Sequence, residues 1–386
     1  MKVLFVSTSS SSKGGGELYL VFIGKALVKR GHQVGLACSR HESMDALCES
    51  FEAFGKVIRY PYRNTYRKKI NVLESLLPQP REKAILNTWK NFQPDVLHLN
   101  KQCLEDGLPL LRLAEKSGIP HTCTIHITQS PSELKAKLGL LRDGLSRKSL
   151  RQYQGSLITI AKPRLEALQN FLPSQLNRIL CIENGVRLFP LEDKLNTRER
   201  LLQREKLPQN ALVAIAVGRI EAQKNPLRFL NWMVQLKQKI PQLHAIWVGS
   251  GRLEPCLREA IQQAEAEDWI HLAGWQSDPH PFFAGADLYV HSADFEGLPF
   301  SLLEAMSWAL PTLISQNLAK ELQFGPSQGC LPAGEQLESN LIAALGSSTD
   351  RIELGERARQ TIESRFSMEV IAREYEKLYQ KVIADA

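Results

Sequence analysis

Short apolar runs alternate with segments of helical period along both halves of this chain, and few folds accommodate that grammar. In the first half the runs are Val3–Ser7, Gln33–Cys38, Val57–Tyr60, Val96–Leu99, His121–His126, Leu157–Ile160 and Arg178–Ile182. In the second they are Leu212–Val217, His244–Val248, Ile270–Ala273, Leu288–His291 and Thr312–Ser315. Between them, segments such as Glu17–Arg30, Pro226–Lys239 and Leu253–Glu267 read as helices, with apolar and polar positions falling on different faces. Strands separated by helices pair in parallel, and a parallel sheet needs cover on both faces. The pattern predicts an α/β protein made of two doubly wound, Rossmann-like sheets.

The chain has 386 residues, too many for one ordinary core and suited to two. The polar stretch Leu191–Arg204 reads as a linker with a lead-in helix. We therefore expect an N-terminal domain over 1–190 and a second domain over 191–365. The stretch 366–386 reads as a terminal helix, with Ile371, Tyr375, Leu378, Tyr379 and Ile383 on its apolar side. That helix is expected to pack back on the N-terminal domain.

Hydrophobic residues at 43% and charged residues at 23% describe an ordinary soluble chain. The seven cysteines form neither a Cys-x-x-Cys pair nor a zinc-spaced set, so they read as buried free thiols in a reducing compartment. The first apolar run is too short for a signal peptide, and none reaches the roughly 18 residues of a membrane span. The expected location is cytoplasmic. A net charge of +7 suits nucleic acid, an anionic membrane face or phosphorylated substrates. Nucleic acid is not expected as a partner, because no reading module is recognisable.

Ligands of doubly wound sheets bind beyond the carboxyl ends of the strands, so the loops there carry the candidate chemistry. Gly14-Gly15-Gly16-Glu17 joins the first strand to the first helix, where glycines let backbone approach an anion. Gly218-Arg219 to Lys224-Asn225 follows the strand Leu212–Val217, and its two cations suit a diphosphate. Gly249-Ser250-Gly251 makes a tight turn after the next strand. In Phe295-Glu296-Gly297-Leu298-Pro299, Pro299 can start a helix whose first-turn N–H groups, at Ser301 and Leu302, are placed to hold phosphate oxygens. Glu304, within that helix, can accept from a ribose diol, and Glu296, before it, from sugar hydroxyls. His126 ends its strand at a carboxyl edge. The chain has no Asp-x-Asp and no metal-ligand cluster, so no metal is expected.

Taken together these motifs resemble the GT4-type family of GT-B glycosyltransferases. The matching pieces are Gly14–Glu17, His126, Asn184-Gly185-Val186, Arg219 with Lys224, Gly249-Ser250-Gly251, Gly274-Trp275, and Glu296 followed by Glu304. Phe366-Ser367 and the terminal helix fit the family's closing segment. The resemblance implies a GT-B fold, two Rossmann-like domains facing across a cleft. It implies a nucleotide-sugar donor, such as a UDP- or GDP-sugar, held mainly by the second domain, and an acceptor held mainly by the first. It also implies transfer with retention and without metal. Carried over by position, Arg219 and Lys224 hold the diphosphate, Glu304 the ribose and Glu296 the donor sugar. His126 contacts the sugar near the reacting carbon, and Gly15 and Gly16 approach the diphosphate or acceptor. The chain departs from the pattern at Ile127, at Ala309-Leu310-Pro311, and at Asn317–Glu321.

The basic and aromatic stretch Arg59–Lys69 suits a lipid-linked or phosphorylated acceptor at the inner membrane face. A glycan or lipid-linked acceptor in polysaccharide or envelope-glycan synthesis is the partner this suggests. Two other readings stay open: an epimerase-like enzyme acting on nucleotide-sugars, and a non-catalytic nucleotide-sugar-binding protein.

Overall fold

A computed structural model describes residues 1–8, 15–62, 82–192, 194–294, 296–334 and 346–386. It divides into two units, Met1–Gly185 with Met368–Ala386, and Val186–Ser367. Among the described residues the first holds seven strands: β1 (Lys2–Ser7), β2 (Gln33–Ser39), β3 (Lys56–Tyr60), β4 (Val96–Cys103), β5 (His121–Ile127), β6 (Ser156–Thr159) and β7 (Ile179–Cys181). The second holds six: β8 (Leu212–Val217), β9 (Leu243–Val248), β10 (Ile270–Gly274), β11 (Leu288–His291), β12 (Thr312–Ser315) and β13 (Cys330–Ala333).

All the ladders within the two sheets are parallel. The first sheet runs β3-β2-β1-β4-β5-β6-β7 and the second β10-β9-β8-β11-β12-β13. In each, the order reverses beside the unit's first strand, between β1 and β4 and between β8 and β11. Helices leave such a point in opposite directions, and their separation opens a crevice beyond the carboxyl ends.

The strands are near-continuous apolar runs because both faces are covered; Val3 to Val6 and Val213 to Ile215 are fully buried. β13 was not expected. Its Pro332 cannot donate to a ladder, but among the described residues β13 lies at a sheet edge, flanked by β12 alone. The terminal helix Met368–Ala384 packs on the first unit through Ile371, Tyr375 and Tyr379. There His98, on β4, bonds the Tyr379 hydroxyl through Nδ1 and Thr124 Oγ1 through Nε2 at 2.9 Å. Burial drives the His98 pKa down to about 3, so it is a neutral structural imidazole.

The structure corrects the surface reading of the basic aromatic stretch. Tyr60 and Tyr62 are buried, edge-on to one another with ring centroids 6.3 Å apart. Arg59 is tied to Asp45 at 2.6 Å and to the His41 carbonyl at 2.8 Å. Residues 63–69, with Arg63, Arg67, Lys68 and Lys69, lie outside the described residues. The cysteines are unbridged, and Cys256 is exposed rather than buried. Among the described residues no helix is long and apolar enough to cross a membrane.

Candidate functional site

In the second unit, the carboxyl ends of β8 and β11 gather most of the residues singled out from the sequence. The loop after β8 is shaped by glycine. Gly218 has φ +152°, and a Cβ there would sit 3.2 Å from Lys224 Cε, so its absence leaves the path that the lysine side chain follows. A Cβ on Gly249, at φ +140°, would fall 2.1 Å from the Gly218 carbonyl oxygen. One on Gly251 would fall 2.3 Å from that of Ile220. The two loops are laced by Gly218 N–H to the Val248 carbonyl at 3.0 Å and Ile220 N–H to the Ser250 carbonyl at 3.1 Å. Gly249 itself donates to the Gly274 carbonyl at 2.8 Å. Gly249 thus permits the loops to touch, and its N–H is already engaged.

Lys224 closes a single 3-10 turn, Ala222–Lys224. Asn225 in the left-handed region, at φ 48°, then caps the helix Pro226–Lys237, with Pro226 at its first position. The Lys224 carbonyl accepts from Ser292 Oγ at 2.6 Å, fixing the turn to the end of β11. Its ammonium contacts Glu296 Oε1, and His291 Nε2 lies 3.5 Å from Glu296 Oε2. His291 Nδ1 meets the Tyr289 hydroxyl at 2.9 Å, which donates to Ser301 Oγ at 2.8 Å. A run of polar contacts therefore links Lys224, Glu296, His291, Tyr289 and Ser301, from the β8 loop to the first turn of the helix Phe300–Ser307, its step from Glu296 to His291 being a 3.5 Å approach rather than a hydrogen bond.

The electrostatics of that run are directional. Burial opposes ionisation of Glu296, but His291 and Lys224 outweigh it and hold the carboxyl below its ordinary range. Burial, then the Lys224 charge, depresses His291, while the Glu296 carboxylate beside it acts in the opposite direction. Arg219 is exposed and makes no ion pair among the described residues. Glu304 is half-buried, and desolvation raises it to about 7 despite the Arg187 charge. Leu302 departs from the expectation for free N–H groups: it donates to the Pro299 carbonyl at 3.1 Å, because the helix opens with an i to i−3 turn.

In the first unit, His126 Nε2 lies 2.8 Å from Asn100 Oδ1, and Asn100 Nδ2 donates to the Gly16 carbonyl at 2.9 Å. Since the amide oxygen only accepts, His126 carries its proton on Nε2 and keeps a lone pair on Nδ1. Burial lowers its pKa to about 4. A Cβ on Gly16 would lie 2.3 Å from Gln102 Oε1, so this glycine lets the first helix start against β4. Gly15 opens the same helix, Gly15–Lys29. Beneath them Lys101 and Asp106 form a fully buried ion pair. Asp106 also accepts from the Thr8 hydroxyl, from Gln102 N–H at 3.2 Å and from Cys103 N–H at 3.1 Å. Full satisfaction is what makes so deep a charge pair tolerable.

Two family profiles match the chain, Glycosyltransferase Family 4 over residues 13–188 and Glycosyl transferases group 1 over residues 197–360. The chain belongs to the GT4-type glycosyltransferase family. Among relatives of this chain is the UDP-Gal:alpha-D-GlcNAc-diphosphoundecaprenol alpha-1,3-galactosyltransferase of Escherichia coli, 32% identical over 36% of this chain and 36% of its own. Another is the lipopolysaccharide core biosynthesis glycosyltransferase LpsE of Rhizobium meliloti, 24% identical over 44% of this chain and 50% of its own. The chain thus spans half or less of the length of these two relatives. Of solved structures, Anabaena HepE in complex with UDP superposes with a TM-score of 0.77 over 99% of this chain and 100% of that one, at 17% identity. The fold is GT-B.

Sequence reasoning missed His291, Tyr289, Asn100, Lys101 and Asp106. A signal was present for two of them: His291 ends β11 as His126 nearly ends β5, and Asn100 stands near the carboxyl end of β4. Among the described residues no group of three or more His, Cys, Asp or Glu is placed to hold a metal ion.

Proposed function

We propose that this chain is a retaining, metal-independent glycosyltransferase that moves a sugar from a nucleotide-sugar, a UDP-sugar first, to a glycan or lipid-linked acceptor. The observation that carries the reading is the run of polar contacts from Lys224 to Ser301 at the β8–β11 switch point. It sets a cation and a carboxylate side by side, a pair suited to a donor's diphosphate and sugar. Lys224 and the unpaired Arg219 neutralise the leaving diphosphate, so charge developing on it meets donors already in place. Ser301 and the opening of its helix receive a phosphate oxygen. Glu296, held ionised, accepts from sugar hydroxyls, and Glu304 accepts from the ribose diol. His126, neutral at physiological pH, contacts the donor sugar near the reacting carbon. Departure of the diphosphate leaves an oxocarbenium-like centre, which the acceptor hydroxyl attacks from the same face, the leaving phosphate oxygen taking its proton. The UDP complex of HepE and the diphosphoundecaprenol substrate in the name of the E. coli relative support the choice of donor and acceptor class.

The first experiment is thermal shift against UDP, GDP, ADP and dTDP and their sugars, with and without EDTA. A midpoint raised by the uridine series and unmoved by EDTA is expected. UDP release that requires an added acceptor then separates a transferase from a binding protein or an epimerase. An EDTA-sensitive shift overturns the metal-free reading.

A further inference from the structure

Two thiols that the proposed transfer does not use face one another in the first unit. Cys38 is on β2 and Cys48 on the helix Asp45–Glu52 that follows it, and their sulfurs lie 3.5 Å apart. A disulfide bond is about 2.05 Å long. The remaining approach of roughly 1.5 Å asks for side-chain rotation and a small shift of one eight-residue helix, with the sheet left in place. The two sulfurs therefore stand within reach of a covalent link.

The surroundings favour the thiolate of one of them. Cys38 stands opposite Arg59 in the ladder between β2 and β3. Arg59 donates to Asp45 Oδ1 at 2.6 Å and to the carbonyls of Ser39 at 3.3 Å and His41 at 2.8 Å, so its guanidinium is held at the connection from β2 to the helix. The hydrogen bond from Cys38 and then the Arg59 charge hold the Cys48 thiol below its ordinary range, against burial and the Glu52 and Asp45 carboxylates. That same bond, with burial, pushes Cys38 up. Burial alone pushes Cys103, Cys123 and Cys330 up to about 12 and keeps them thiols. A thiolate beside a cation, with a second thiol against it, is the arrangement of a redox-active pair. Cys38 is 0% exposed and Cys48 is 4%, so a reagent meets Cys48 first and must be small.

We propose that Cys38 and Cys48 form a peroxide-reactive dithiol, with Cys48 the attacking sulfur and Cys38 the resolving one. The Cys48 thiolate attacks one oxygen of hydrogen peroxide and the O–O bond breaks. The departing hydroxide takes up the proton that Cys48 released and leaves as water. Cys48 is then a sulfenic acid, which the Cys38 sulfur attacks. The S–S bond forms, the S–O bond breaks, and the hydroxyl leaves as a second water with the Cys38 proton. The two thiols give up two electrons and the peroxide accepts them, so no further reactant is needed. A dithiol reductant reverses the bond by thiol exchange. This goes beyond the donor reading and does not rest on it.

The test treats the folded full chain with hydrogen peroxide, alkylates the remaining thiols in denaturant, and weighs the tryptic peptides. Cleavage after Arg30, Arg40 and Lys56 puts the two cysteines on separate peptides, Gly31–Arg40 and His41–Lys56. The expected product is these two peptides joined, two hydrogens lighter than their sum, and separated again by dithiothreitol. It should form about tenfold or more faster than the exposed Cys256 is oxidised. Cys38→Ala should leave the sulfenic acid on Cys48, captured as a dimedone adduct, and Cys48→Ser should leave Cys38 unoxidised at the same dose. The wild-type mapping tests the pair even where a variant does not fold. No joined peptide at a dose that oxidises Cys256, or joining only once denaturant is present, overturns the proposal and leaves the two thiols as packing atoms of the core.

Discussion

Each end of the Lys224–Glu296 contact explains the other. The carboxylate is buried between the His291 imidazole and Lys224, and the two together offset its desolvation. Lys224→Ala should therefore lower turnover by roughly 10²–10³-fold, the scale of losing one electrostatic stabiliser of a leaving group. The loss should appear in kcat more than in nucleotide affinity. A rate within threefold or so of wild type would take Lys224 out of the reaction. His291→Phe keeps the ring but removes both nitrogens, freeing Glu296 and the Tyr289 hydroxyl. We expect a fall in kcat with the UDP shift retained, partly rescued in His291→Asn, whose amide can still donate. Glu304 makes a separate, pH-dependent prediction. Its folded pKa, about 7, lies above the ordinary 4.5, so the folded state keeps a proton that the unfolded chain releases. Stability must fall as pH rises from about 4.5 to about 7 and be flat in this contribution above that. Glu304→Gln should flatten that slope and raise stability at pH 8 by on the order of 2 kcal/mol, measured by denaturant melts across pH. The same variant should weaken nucleotide binding above pH 7, where the ribose diol has a carboxylate to donate to.

At the level of elements, the glycine turns after β8 and β9 work as one clamp. A Cβ on Gly249 would reach 2.1 Å from backbone that no rotamer change can move. Gly249→Ala should destabilise the second unit by about 2–4 kcal/mol, and the shift of the Gly218–Lys224 loop should weaken UDP binding with it. Gly144, with open space around its Cβ direction, is the control: Gly144→Ala should leave both unchanged. The terminal helix is a second such element. Tyr379→Phe leaves the buried His98 Nδ1 without its hydroxyl partner and should cost about 1–3 kcal/mol. A variant as stable as wild type would mean that the hydroxyl contributes nothing there.

At the scale of the molecule, one strand order is used twice, and in both units the singled-out residues stand where that order reverses. β1 and β4 bring Gly16 to Asn100 and Asn100 to His126. β8 and β11 bring Lys224 to Glu296 and Ser292. The chain returns to its first unit through the helix Met368–Ala384, so that unit is made from both ends of the sequence. A chain ending at Ser367 loses the cover over Tyr19, His98 and Thr124. It should be insoluble or melt far below wild type even though the second unit is untouched.

By itself the sequence determined the two parallel sheets, the expected strands to within a residue or two except β4, which runs four residues past Leu99 to Cys103, and the loops that carry the cations and the glutamates. These are legible because period, apolar run length and turn residues are local properties. It did not give β13, where Pro332 reads as a breaker unless the strand is known to lie at an edge. It took Tyr60 and Tyr62 into a stretch suited to a lipid-linked or phosphorylated acceptor, yet both are buried, since burial depends on what a strand packs against rather than on neighbouring charges. Only the tertiary structure decided which strands adjoin. It thereby set that His291 rather than solvent faces Glu296, that Asn100 fixes the proton of His126, and that Gly249 serves a backbone contact. Those are relations between residues far apart in sequence, and they exist only once the order of the strands has closed the distance.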